Sequence, residues 1–305
     1  MRVPLALMAT ATALAVTLTG CSAAAPEPQA TAGASSDLIE VRGDFGDAPK
    51  VDFPTPVSPG TTQCTTVIEG DGEHLIEGQQ ALVGLAVYNG TTGDEIQVVG
   101  FGDEDPVPVL LGSNTLPGLS KGLSCTSEGS RVAVVVPPED GFGEEGNESL
   151  GISGDDSLVV VFDVHRAFMP RANGTPQLTR DGFPAVVLAP DGRPGITVPD
   201  EAPFESTEVE VLKKGHGEEV EAGDQVVVHY TGVDWEAGTV LDGSTWEQGG
   251  PTAIIVGEDA ASQGSPPFAP SLEGVTVGSQ LGIAIPADEA GNPAAFYVVD
   301  VLGVV

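Results

Sequence analysis

The chain is 305 residues long and carries 45 Asp and Glu against 11 Lys and Arg, a net charge of −34 at pH 7. A surface so acidic repels nucleic acid and anionic lipid headgroups, which share its sign, so both are excluded as partners. The four histidines (His74, His165, His216 and His229) are scattered without ligand spacing, so neither a metal nor a cofactor is expected.

In chain order, residues 1–20 read as a signal peptide. Arg2 supplies a minimal positive region, and Leu5 to Leu18 form an apolar run too short for a membrane span. The run closes on "LTGC", which resembles the lipobox of bacterial lipoproteins and makes Cys21 the lipidation site; an ordinary signal peptide cut elsewhere is the alternative. The expectation is an exported, extracytoplasmic chain held to the cell membrane through lipidated Cys21 alone. Residues 21–38 are mostly Ala, Ser, Pro and Gly, with little apolar surface to offset ordering entropy, and are predicted to be a flexible tether. About 270 residues remain, enough for two domains. The Pro/Gly/Asn-rich stretch 169–182 reads as the linker between a domain at 39–168 and another at 183–305. With Cys21 set aside, Cys64 and Cys125 are left as an isolated pair, either a disulfide or two buried thiols.

The two domains read as copies of one another. Residues 66–90 lie over 211–232: both have Gly-x-Gly, acidic residues, a further glycine and a valine-rich strand ending in tyrosine. The first copy then carries three extra residues before its tyrosine, Tyr88, the counterpart of Tyr230. Residues 115–143 echo 265–291, and each copy closes on a strand, 157–167 and 296–305. Short Val/Ile-rich runs broken by Gly, Pro, Asn and Asp predict strands throughout. One short helix per copy is predicted, from Leu116, Leu119 and Leu123 and from Phe268 with Leu272. The fold class is α+β: two tandem domains, each an antiparallel half-barrel sheet wrapped around one short helix.

The pieces "VHYTG" (228–232), "GTVLD" (238–242), "LEGVTVG" (272–278), an Ile-Pro turn at 285–286 and "VVDVLGV" (298–304), in that order, resemble the FKBP-type peptidyl-prolyl isomerases. "LPGLSKGL" (116–123), "VVVPPEDGFG" (134–143) and "LVVVFDV" (158–164) resemble the same family in the first copy. The resemblance implies a pocket between sheet and helix that turns Xaa-Pro bonds without any cofactor. It implies proline-containing polypeptides as clients and macrolides as small-molecule ligands. In the second domain Tyr230 and Asp242 match the pocket tyrosine and aspartate, the catalytic candidates, with Leu241, Phe268 and Val299 in the substrate-binding wall. Ala290, in a short loop at 285–296, stands where the family has a substrate-contacting tyrosine. In the first domain Tyr88, Leu119, Phe142 and Phe162 match wall positions, while the aspartate has no counterpart beyond Val98 or Val99. The alternative is a non-catalytic binding module or holdase on the same fold.

"GFGEEG" (141–146) satisfies G-x-G-x-x-G but is not read as a dinucleotide site. Pro137 and Pro138 precede it, no helical pattern follows, and Glu144 and Glu145 would repel phosphate.

Overall fold

The computed structural model describes residues 27–305 except 73, 113–114, 258–263 and 290. The signal peptide, Cys21 and Ala290 therefore lie outside the described residues. Among the described residues no helix is long and apolar enough to cross a membrane.

A hairpin of β1 (Glu40–Arg42) and β2 (Lys50–Asp52) precedes the first large sheet. That sheet comprises β3 (Gln63–Ile68), β4 (Gln80–Asn89), β5 (Glu95–Val99), β6 (Val107–Leu110), β7 (Arg131–Val136) and β8 (Leu158–Ala167). Its order is β3-β7-β8-β4-β5, with β6 paired to the other end of β4. After it come β9 (Thr175–Pro176), the hairpin β10 (Ala185–Leu188) and β11 (Pro194–Thr197), β12 (Glu208–Lys214) and β13 (Gln225–Asp234). The chain ends with β14 (Thr252–Ile255), β15 (Gln280–Ile285) and β16 (Ala295–Val304), giving the order β14-β13-β16-β15-β12-β9.

The strands alternate their side chains between two faces, and each face of each sheet is buried. In the first domain Val83, Val132, Val134, Val160 and Phe162 meet the helix α1 (Pro117–Leu123) on one face. Gly118 and Gly122 leave room for the Val136 and Val134 side chains, which a Cβ at either glycine would overlap. The other face is covered by the β1–β2 hairpin, through Val41, Val51 and Phe53. The second domain repeats the plan: Val226, Val228, Leu281 and Val299 pack with Phe268 and Leu272, and β10–β11 covers the opposite face.

Three expectations are corrected. The second-domain helix is a single 3-10 turn, Ala269–Leu272, because the backbone turns extended at Glu273 and Gly274 takes a positive φ. The α-helical turn of this domain, α2 (Thr245–Gln248), lies elsewhere. The predicted tether is packed from residue 29 onward. Gln29 N donates to Ser124 Oγ, Ala30 is buried, Thr31 bridges Gln63, and Gln63 Oε1 accepts from Ser35 N and Ser36 N. Hydrogen bonds to the backbone replace the apolar burial that this composition lacks. The stretch 169–182 is not free either, since β9 joins the second sheet through β12 and Ala172 is buried. Phe168 packs with Leu82 of the first domain and Val227 and Leu302 of the second, a small core shared by both.

Candidate functional site

Period-two alternation along β13 sets Val226, Val228 and Tyr230 toward the core side of the second sheet. Tyr230 pairs with Val299, which is fully buried. The Tyr230 ring meets Phe268 edge-on at 4.9 Å, and Phe268 forms a fully buried floor at the start of the 3-10 turn. Tyr297, two residues before Val299 and so on the same face, brings its ring to 5.2 Å from Phe268 and 6.4 Å from Tyr230. Gly232 makes this possible, because a Cβ there would lie 2.6 Å from Tyr297 Cε1 and 3.2 Å from Leu241 Cδ1. Tyr230, Leu241, Phe268, Tyr297 and Val299 therefore form one wall.

The position of Tyr230 is fixed through its backbone. Thr245 Oγ1, at the start of α2, accepts from Tyr230 N at 2.7 Å and donates to Tyr230 O at 3.2 Å. The phenol itself makes no hydrogen bond among the described residues. Burial raises the Tyr230 pKa; burial, with Tyr230 adding to it, raises that of Tyr297, so both hydroxyls stay neutral donors. Beside Tyr230 opens a cavity of about 410 Å³ lined also by Gly243, Gln248, Thr252, Ser265 and Pro266. Asp242 is exposed next to Gly243 at the rim, not inside, and makes no hydrogen bond among the described residues. Tyr297, Thr252 and Ser265 were missed in the sequence. Tyr297 could have been found by counting two from Val299, and Thr252 only from its pairing with Val228.

Strand register corrects the first domain. Both closing strands carry the same bulge, at His165 in β8 opposite Leu82 and Val83 of β4, and at Leu302 in β16 opposite Val227 and Val228 of β13. Beyond it Val83 pairs with Val164 and Val107, just as Val228 pairs with Val301 and Thr252. Counting on, Leu85 takes the place of Tyr230, opposite Phe162, which takes the place of Val299. Tyr88 lies three residues further and on the other face, packed against Phe53 at 6.3 Å. The three extra residues thus belong after the shared pattern, not before it. Leu119, Phe142 and Phe162 do share a cluster with Leu85. Strand β5 runs along that edge with Val99 opposite Leu85, where the second domain has a turn and α2.

His229, on the opposite face from Tyr230, is buried and stacks on Trp246 with ring centroids 3.7 Å apart. Its Nδ1 lies 2.5 Å from Thr245 Oγ1, the same hydroxyl that holds Tyr230. Burial, and secondarily the Arg193 charge, lower its pKa to about 4, with Asp191 pulling the other way. The folded value is below the unfolded one of about 6.5, so the unfolded chain protonates first. Stability held above pH 6.5 should therefore drain away as pH falls toward 4, by roughly 3 kcal/mol. We expect His229→Phe, which keeps a ring on Trp246, to flatten that part of the profile in urea titrations at successive pH values. Parallel profiles for variant and parent would contradict this account.

Among the described residues no group of three or more His, Cys, Asp or Glu is placed to hold a metal ion. The sequence profile described as FKBP-type peptidyl-prolyl cis-trans isomerase matches residues 80–165 and 216–292. No curated protein matches the chain. Among solved structures, the three FKBP domains of wheat FKBP73 are similar at 20% identity, covering 81% of this chain and 95% of that one, TM-score 0.36. The N-terminal domain of FKBP42 from Arabidopsis thaliana is similar at 22% identity, over 39% of this chain and 95% of that one, TM-score 0.34. FkpA from Escherichia coli is similar at 23% identity, over 35% and 47%, TM-score 0.31.

Proposed function

The chain belongs to the FKBP-type peptidyl-prolyl cis-trans isomerase family, and on that premise we propose that its second domain turns Xaa-Pro bonds in client polypeptides. The observation that carries this reading is the cavity of about 410 Å³ against a Tyr230 hydroxyl that makes no hydrogen bond among the described residues, with Phe268 beneath the ring. Rotation about a peptide C–N bond meets a barrier of about 18–20 kcal/mol because it breaks resonance. For Xaa-Pro the two isomers are close in energy, so only the barrier must be lowered. A twisted imide is less polar than a planar one. A site that takes the bond out of water and grips the ring on aromatic carbon favours the twisted state. The Tyr230 phenol is placed to donate to a client carbonyl at the mouth.

We assign this activity to the outside of the cell membrane, with Cys21 as the lipid attachment. The support is the apolar run 5–18 and its "LTGC" ending. For the first domain a second reading is favoured: a binding module without turnover. Leu85 in the tyrosine place and β5 along the adjoining edge support it.

The test is a prolyl-peptide isomerisation assay on the full chain. Tyr230→Ala should lower kcat/KM about tenfold, equivalent to roughly 1.4 kcal/mol of barrier. Asp242→Leu, at an exposed position without partners, should lower it less than about threefold and leave stability within about 0.5 kcal/mol of the parent. A parent rate no higher than the uncatalysed one, with clients still bound, would replace the enzyme by a holdase.

A further inference from the structure

We infer that the second-domain cavity selects prolyl bonds flanked by lysine or arginine; this rests on the function proposed above and names its substrate class. From residue 215 to residue 305 the chain has 14 Asp and Glu and not one Lys or Arg. All 11 basic residues lie earlier, yet the elements that build the cavity, β13, α2, β14 and the loop before Phe268, come from this run.

The cavity lining itself carries no charge: its polar side chains are the Tyr230, Thr245, Thr252 and Ser265 hydroxyls and the Gln225 and Gln248 amides. Charge selection therefore falls to the rim. Glu247 there is paired with Arg193 at 3.1 Å, whereas Asp242, exposed beside Gly243, has no ion-pair partner among the described residues. Elsewhere on the domain Glu219, Glu221, Glu236 and Glu273 are exposed, while Glu218 is paired with Arg166 at 2.6 Å. A neutral concavity set in an acidic body gathers cations and turns anions away. A client residue beside proline sits within a few ångströms of the mouth, inside the ~8 Å screening length of physiological salt, so its sign is read before its shape. Acidic sequences meet repulsion there, because Arg193 is already taken up by Glu247.

The experiment compares three peptides that differ only before proline (Lys-Pro, Ala-Pro and Glu-Pro), on the full chain at low and high salt. Lys-Pro is expected to exceed Glu-Pro in kcat/KM about tenfold at low salt and less than about twofold at 1 M, with Ala-Pro between. Each peptide is also titrated against tryptophan fluorescence, because Trp246 belongs to α2, whose Thr245 and Gln248 line the cavity, so the charge preference is read whether or not the bond turns. Turnover of Ala-Pro with equal rates for Lys-Pro and Glu-Pro, or with the order unmoved by salt, overturns the charge preference and leaves the isomerase reading standing. No turnover with any peptide, but tighter binding of Lys-Pro at low salt, has the opposite meaning. Equal affinities in that case overturn both.

Discussion

Arg131→Met should unfold the first domain under conditions where the second stays folded. Arg131 and Asp163 are both fully buried and meet through two bonds, Nε to Oδ1 at 2.5 Å and Nη2 to Oδ2 at 2.6 Å. The remaining guanidinium donors reach Gly43 O and Asp47 O, and Gly46 N donates to the carboxylate. One ion pair thus ties the β1–β2 loop to the middle of the sheet. Whether such a pair stabilises a fold against an apolar replacement is open in general, but removing one partner is not symmetrical with removing both. Methionine leaves Asp163 charged in a dry site with one N–H donor, at a cost of about 3–5 kcal/mol. A domain's whole stability is of the order of 5–15 kcal/mol, so the loss is a large part of it.

The second domain shows the milder solution. Gln280 stands at the Arg131 position and donates to Asp300 at 2.7 Å, while Ala172 N donates at 2.9 Å. Burial outweighs those bonds and the Lys213 and Arg171 charges, so the Asp300 pKa is raised. Arg131→Gln should accordingly cost less than Arg131→Met. Both tryptophans, Trp235 and Trp246, lie in the second domain. Circular dichroism should therefore show an early unfolding step in Arg131→Met that tryptophan fluorescence does not follow. Coincident transitions at the parent midpoint would mean that the pair contributes nothing.

What was legible in the sequence was whatever depends on local chemistry. Valine-rich runs between glycines and prolines marked the strands, and the repeated order of motifs disclosed two domains of one kind. What escaped depends on register. Tyr88 lies three residues beyond Leu85, an odd count that turns it to the other face, and a run with apolar residues on both faces such as "ALVGLAVY" does not disclose which parity holds. Tyr88 was consequently matched to Tyr230 although it faces the other way. The packed 29–38 segment escaped for a different reason: Gln63 and Ser124, far off in sequence, supply the hydrogen bonds that hold it. Tyr297 was legible in principle, being two residues from Val299.

The Cys64–Cys125 bond carries the other large effect. The sulfurs stand 2.07 Å apart and the Cα atoms 6.6 Å, joining β3 at the sheet edge to the residues that follow α1. The two cysteines are 61 positions apart, with β4, β5 and β6 between them, so the link closes a long loop in the unfolded chain. Loop-closure entropy for that length corresponds to about 4 kcal/mol, present whatever contacts the folded state makes. The native contacts lose less, because α1 is also held by the approach of Gly118 and Gly122 to β7. Cys64→Ser with Cys125→Ser should thus keep the fold but lower the first-domain Tm by roughly 15 °C. Reductant should lower the parent to a similar value and leave the double variant unmoved. An equal Tm with and without reductant would show that the cysteines are unpaired in solution or that the linked loop is already closed in the unfolded ensemble, and thiol titration of the denatured chain separates the two.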